Sequence, residues 1–411
     1  MQKHDSLRSP VKAKLPTPRY RTPRPRRFIQ VFCRYLKPGG EENSVVRIAA
    51  HLEKGGHEVV RFWRASDEWT RPDGPPFWQR LPLLWRNRGV LEELRLLHDR
   101  VQPDAWIFHN LLPVVSLAAY QLARELKVPV VNWLHCYRPL SPSGLMWAGA
   151  TALAPEDRWL AWKEVRRGTW HGRLATAAVA LGYRRIQRRG DFESVRAWIA
   201  VSEEMRLIFQ RAHFFPDRLF RLHHSWDIRP PLDLSLDQGH FLILSRMIEE
   251  KGIHFIVDLW RRPEFRGLQL LLAGEGALAD KYRGKTPSNI RWLGYIHGDE
   301  KRRLLAGCRA LLFPCLWVEP LSTVVYEAYE QGKPVLASAR GGLKEVVLDG
   351  QTGRLLEPGN QELWARTILE FSRNVALSRE MGLRGRQWLQ REVSPASWNQ
   401  QFDQILARIH F

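Results

Sequence analysis

From residue 28 onward the chain alternates between short apolar runs and longer stretches in which apolar residues recur every three or four positions. The runs at 28–33, 58–63, 105–108, 128–134 and 197–201 are of strand length and mostly apolar, the pattern of strands buried on both faces. The segments 44–54, 90–101, 114–126 and 203–212 between them carry the helical period. A second series repeats the alternation, with strands predicted at 241–245, 268–273, 290–293, 310–314 and 334–337 and helices at 252–262, 300–305, 321–331 and 363–373. Strand–helix alternation requires connections that cross over a sheet, so each series predicts a parallel sheet with helices on both faces. The predicted class is α/β, with two Rossmann-like, doubly wound domains facing across a cleft and ligand chemistry at the carboxyl ends of their strands.

The boundaries follow from where the pattern fails. Residues 1–27 are rich in Pro and Arg, have no apolar period and read as a disordered tail. Residues 28–228 form the first domain, 229–239 a linker with paired prolines, 240–394 the second domain and 395–411 a last helix. Within the first domain, 138–190 does not alternate cleanly. It holds Trp147, Trp159, Trp162 and Trp170 among many arginines. That mixture suits a membrane interface or an acceptor surface, and equally a helical excursion with partly buried tryptophans.

A chain of 411 residues is long enough for two cores. The net charge of +20 favours anionic partners, whether sugar nucleotides, membrane headgroups or nucleic acid. Nine of the basic residues lie in 1–27, against the single acid Asp5. The four cysteines form no CxxC, so neither a disulfide framework nor a metal site is expected. No apolar run approaches the ~20 residues of a membrane span. The expectation is a cytoplasmic protein, at most peripheral at the inner face of the plasma membrane.

Ser245 and Arg246 close a predicted strand, and Lys251 and Gly252 open the next helix. A guanidinium fork, an ammonium and a helix N-terminus at one sheet edge suit a pyrophosphate. Pro320 fits the first turn of a helix, leaving Glu319 just outside it and Glu327 about two turns in. The amides of Leu321, Ser322 and Thr323 would then be free for phosphate oxygens. Carboxylates bind phosphate poorly, so Glu319 is expected on the sugar and Glu327 on the ribose. Gly39 and Gly40 follow the first strand and allow backbone to approach a ligand, and His135 stands at the end of another. No Asp-x-Asp occurs, so no metal is expected under the pyrophosphate and no cofactor is called for.

Taken in order, 245–252, 273–276 (Ala-Gly-Glu-Gly), 293–295 (Leu-Gly-Tyr), Glu319-x7-Glu327 and 334–353 with Gly341, Gly342 and Glu345 resemble glycosyltransferase family 4. The first half resembles a subgroup through Gly39-Gly40-Glu41, His109-Asn110-Leu111-Leu112-Pro113 and Leu134-His135. The resemblance implies the GT-B fold and transfer of a sugar from a nucleotide-diphosphate donor, with retention at the anomeric carbon and without metal. It implies that Arg246 and Lys251 hold the pyrophosphate, Glu327 the ribose and Glu319 the sugar. Gly39, Gly40 and His135 would face the sugar, and the turn at Tyr295 the base. His109, Asn110 and Arg138 are the acceptor-side candidates. The partners are then a nucleotide sugar and a glycan or lipid-linked acceptor, with contact to anionic membrane and no nucleic acid. The last helix would cross back onto the first domain. The chain departs from the subgroup at Cys136, at Leu140-Ser141-Pro142 and at His223-His224-Ser225-Trp226. A sugar-nucleotide epimerase on the same scaffold and a basic nucleic-acid-binding protein remain the alternative readings.

Overall fold

The structure, a computed structural model, describes residues 24–36, 39–148, 151–152, 154, 157 and 159–411. All but the end of the basic 1–27 segment, with Lys37 and Pro38, lies outside the described residues. Among the described residues the strands are β1 (Arg27–Arg34), β2 (Glu58–Ala65), β3 (Ala105–Phe108), β4 (Val130–Leu134), β5 (Trp147–Ala148), β6 (Thr151–Ala152), β7 (Val195–Ala200), β8 (Leu219–Arg221), β9 (His240–Leu244), β10 (Leu270–Ala273), β11 (Ile290–Gly294), β12 (Cys308–Phe313), β13 (Val335–Ser338) and β14 (Gly353–Leu356).

They form two parallel six-stranded sheets, ordered β2-β1-β3-β4-β7-β8 and β11-β10-β9-β12-β13-β14. β5 and β6 make a separate antiparallel hairpin in the 138–190 insert. Every residue of β3, β4, β9 and β12 is buried. Burial on both faces is why these strands read as unbroken apolar runs rather than alternating ones.

The topology fixes where chemistry can occur. β1 sits between β2 and β3, so the chain leaves it to opposite sides, and β9 sits likewise between β10 and β12. Each is a switch point, where diverging connections leave a crevice at the carboxyl edge.

Several predicted elements shift. The helix expected over 114–126 is only Ala119–Glu125. Residues before it bond elsewhere: the Leu117 and Ala118 amides donate to Leu84 and Trp85 carbonyls at the end of helix Phe77–Trp85. The helix expected from 321 starts at Val324. β8 and β14 are three and four residues long and half-exposed, too short to leave a pattern. Helix Phe77–Trp85, with Pro82 inside it, and the long helix Val375–Glu392 were also not foreseen.

The last helix, Pro395–Arg408, lies against the first sheet. Trp398 stacks on Trp133 and Phe402 packs against Phe28. The Trp398 indole donates to the His223 carbonyl at 3.0 Å. No helix among the described residues is long and apolar enough to cross a membrane.

Candidate active site

In the second half, the loops after β9 and β12 meet at the switch point. A turn at Glu249–Lys251 follows β9, and Gly252 adopts φ +69° before helix Ile253–Trp260. A Cβ on Gly252 would lie 2.0 Å from the Pro314 carbonyl, so only glycine lets this loop back onto the one after β12. That approach delivers Lys251 to Glu319. Their Nζ and Oε2 are 2.5 Å apart, and both residues are buried. The Trp317 indole donates to the same Oε2 at 2.8 Å, and its ring lies 5.0 Å from the ammonium. Gly341, at φ +57°, plays the same part from the other side: its Cα faces the Glu319 backbone, and a Cβ would come 2.1 Å from the Glu319 carbonyl.

Arg246 is exposed, with no side-chain partner among the described residues. Glu327 pairs with Lys301 at 2.9 Å. Because the helix is Val324–Glu330, Pro320 is not in its first turn, and Glu327 lies in that turn rather than two turns deep. Leu321, Ser322 and Thr323 precede the helix in irregular backbone. Their amides nevertheless make no hydrogen bond to protein among the described residues. Thr323 faces the first half: a Cβ on Gly40 would lie 3.7 Å from its Oγ1. Tyr295 stands exposed just after β11, beside the ring of His297.

In the first half, Gly39 caps helix Gly40–Lys54 after β1. His135, after β4, is half-buried in a row of polar rings. Its Nε2 lies 2.9 Å from His109 Nδ1, and His109 Nε2 lies 3.1 Å from the Gln30 amide nitrogen. On its other face it stacks parallel to His224, centroids 5.9 Å apart, and His224 Nδ1 meets Ser44 Oγ at 2.9 Å. Burial holds His135 below the ordinary histidine range. It holds His109 and His224 well below it, helped by the charge of His135. The three rings are therefore neutral near pH 7. His135 Nδ1 is buried without a partner.

This arrangement corrects two acceptor-side expectations. His109 faces inward and orients His135. Asn110 is spent on structure, donating to the Cys33 and Leu112 carbonyls and accepting from Arg138 at 2.6 Å. Arg138 is buried beneath Trp170.

Sequence patterns assign no role to four contributors. Trp317 and Lys301 hold Glu319 and Glu327, and neither stands in a motif. His224 lies in the segment that departs from the subgroup. Glu345 joins the halves: its carboxylate accepts from the Glu203 and Glu204 amides at 2.8 and 2.9 Å and meets His223 Nε2 at 3.0 Å. The Gly341…Glu345 spacing was the only signal available for it.

Residues 224–388 match the family model described as glycosyl transferases group 1. The chain is 26% identical over 184 residues to the lipopolysaccharide core biosynthesis glycosyltransferase LpsE of Rhizobium meliloti (strain 1021), covering 44% of this chain and 53% of that protein. It is 27% identical over 353 residues to sulfoquinovosyl transferase SQD2 of Arabidopsis thaliana, covering 81% of this chain and 60% of that one. The chain thus spans about half the length of the curated relatives it matches. Among solved structures, Anabaena HepE in complex with UDP and glucose matches with a TM-score of 0.64 at 18% identity, over 93% of this chain and 99% of that one. With its two parallel six-stranded sheets, the chain has the two-domain α/β fold called GT-B.

Proposed function

We propose that this chain is a retaining glycosyltransferase that moves a sugar from a nucleotide-diphosphate donor to a glycan or lipid-linked acceptor. The observation that carries the reading is the convergence at the β9/β12 switch point: buried Lys251 beside Glu319, followed by three amides with no protein partner among the described residues, and Thr323 Oγ1 3.7 Å from where a Cβ on Gly40 of the opposite half would lie. Cations and free amides in a crevice stabilise a departing diphosphate. The match to glycosyl transferases group 1 supports the same reading, and its region contains all of these second-half residues. The series of motifs resembling family 4 adds retention of configuration.

In this mechanism the diphosphate oxygens share Lys251 Nζ with Glu319 and take the amides of Leu321, Ser322 and Thr323. Arg246, exposed, swings its fork onto the outer phosphate. Glu327 accepts from ribose hydroxyls in place of Lys301, and the backbone near Tyr295 flanks the base. Glu319 keeps one oxygen on Trp317 and directs the other to the sugar. His135, neutral, meets the sugar through Nδ1. Charge grows on the diphosphate as the glycosidic bond breaks, and these fixed dipoles and charges answer it without reorganising. The departing phosphate takes the acceptor proton in a front-face displacement. No step in this scheme assigns a role to a metal.

A peripheral site on anionic membrane belongs to the same proposal. Helix Phe77–Trp85 packs on helix Arg173–Arg188, with the Trp85 indole donating to the Ala178 carbonyl at 2.6 Å. The first helix exposes Trp78 (75%), and the second exposes Leu174 (76%) at its start and Arg184, Arg185 and Arg188 at its end. Apolar anchors among arginines match the boundary of an acidic leaflet.

The test is a panel of sugar nucleotides scored by thermal stabilisation, since a ligand of the folded state alone raises the melting temperature. The hit is then incubated with and without acceptors, with and without EDTA. Transfer with retained anomeric configuration, undiminished by EDTA, is expected. A changed sugar without acceptor would instead make the chain an epimerase. Stabilisation by none of the panel would sink the donor-site reading.

A further inference from the structure

Among the described residues four cations are buried: Arg138, Lys251, Arg309 and Lys333. Three are matched within the protein. Lys251 has Glu319. Arg309 has Asp237 and the carbonyls of Phe371 and Ser372. Lys333 has the Leu236 carbonyl.

Arg138 is not matched. It is 9% exposed, and among the described residues only its Nη1 has a hydrogen-bond acceptor, Asn110 Oδ1. Its Nε is buried without a partner. It makes no ion pair among the described residues. The carboxylate in its field, Glu41, already accepts from the Tyr35 hydroxyl at 2.6 Å. A guanidinium offers five N–H donors, and a buried charge without a counter-ion costs several kcal/mol. Side chains that merely fill space do not need that charge.

The position is equally specific. Glu41, next to Gly40, acts electrostatically on both His135 and Arg138. Tyr137, one residue earlier, feels Glu319 from the opposite half. Arg138 follows β4 three residues after His135 and bonds Asn110, which follows β3 and itself donates to the Cys33 carbonyl of β1, so Arg138 stands at the carboxyl edge of the first sheet. Trp170 of the insert, 5.8 Å away, roofs it.

We infer that Arg138 is a binding residue for an oxyanion, a phosphate or carboxylate, carried by the acceptor, so that the acceptor is an anionic molecule. The inference rests on the transferase reading for the word acceptor. The anion site itself does not depend on it. The guanidinium fork takes two oxygens through Nε and Nη2, the bidentate geometry an ammonium lacks. Held there, the anion places the remainder of the molecule toward His135 and the donor sugar.

The probes are inorganic phosphate and UDP, read as melting-temperature shifts of the full chain in phosphate-free buffer. Phosphate is expected to stabilise the wild type whether or not saturating UDP is present. Arg138→Gln is expected to weaken phosphate binding at least about tenfold, the worth of a lost charge-assisted pair of hydrogen bonds. It should leave the UDP shift intact. Arg138→Lys, which keeps the charge, should show an intermediate phosphate response and covers the case in which the Gln variant does not fold. An equal phosphate shift in wild type and variants would overturn the site. Loss of the wild-type phosphate shift on adding UDP would overturn the acceptor assignment and give Arg138 to the donor diphosphate. A chain that ignores every nucleotide yet keeps an Arg138-dependent phosphate shift would sustain the anion site while removing the transferase reading.

Discussion

Glu345 reaches from the second half of the chain to the amide of Glu203, 2.8 Å away, at the start of helix Glu203–Arg211 in the first. It also takes the Glu204 amide and the His223 ring. One carboxylate thus caps a helix, adding to Ser202, and ties the two halves beside the cleft. Lys344 adds an ion pair to Glu204 at 2.8 Å.

Replacing Glu345 by Ala should therefore destabilise the chain by about 0.5–2 kcal/mol, the range for a lost N-cap. The effect should depend on pH. Burial raises the Glu345 pKa, but the His223 ring and the two amides outweigh it, so the folded value lies below the usual 4.5. A depressed carboxylate stabilises above its unfolded pKa and loses that contribution as pH falls through the folded one. Denaturant melts of wild type and Glu345→Gln should differ at pH 7 and converge below about pH 4.5. A gap that stays constant across that range would contradict the capping role.

Lys251 and Arg246 should separate by their stability. Arg246→Ala removes an exposed side chain with no partner among the described residues, so the melting temperature should hold while kcat/KM falls by ~10²–10³. Lys251→Ala should lose activity as much and also stability, by about 3–5 kcal/mol, because Glu319 is left buried without its cation. Double substitution of Lys251 and Glu319 by Met and Gln should recover much of the stability and none of the activity. Near-wild-type turnover in Arg246→Ala would remove that residue from the diphosphate clamp.

The row of three histidines predicts an acid-side loss of stability. His109, His135 and His224 are held below the unfolded value of 6.5 mainly by burial. As pH falls through that value the unfolded chain takes up protons that the folded chain refuses, so stability declines. The surroundings add no carboxylate able to cancel this for His224, whose field holds His135, Arg47 and His223. His224→Gln should flatten the slope between about pH 6.5 and 5 by up to ~1.4 kcal/mol per pH unit. Equilibrium unfolding at half-unit pH steps measures it, and an unchanged slope would show that these rings titrate normally.

Vesicle sedimentation tests the membrane face. The wild type should bind vesicles containing phosphatidylserine in preference to neutral ones, and less at high salt. Trp78→Ser with Leu174→Ser should weaken binding without changing donor-induced stabilisation. Equal binding to neutral vesicles, or no loss in the double variant, would locate the contact elsewhere.

Much of the fold was legible because its signal is local. Strands buried on both faces, such as 105–108 and 241–245, leave apolar runs that need no knowledge of their neighbours. Short or half-exposed elements, such as β8 and β14, bury too little to imprint a pattern. The sequence predicts the helix after Glu319 too early because Pro320 suits a first turn, whereas the backbone of 319–323 is held by tertiary neighbours, among them Gly341.

For the site, the chain order alone brought Arg246, Lys251, Glu319 and Glu327 under suspicion, since loops after parallel strands must gather at one sheet edge. Which of them pair, and with what, was decided only by the folded structure. Lys251 meets Glu319 across 68 residues of chain, and Glu345 meets Glu203 across 142. Contacts at such separations depend on how two sheets face one another, which no local period encodes. Burial belongs to the same class: that Arg138 loses water without gaining a carboxylate is a property of the walls around it, and its charge acquires meaning only there.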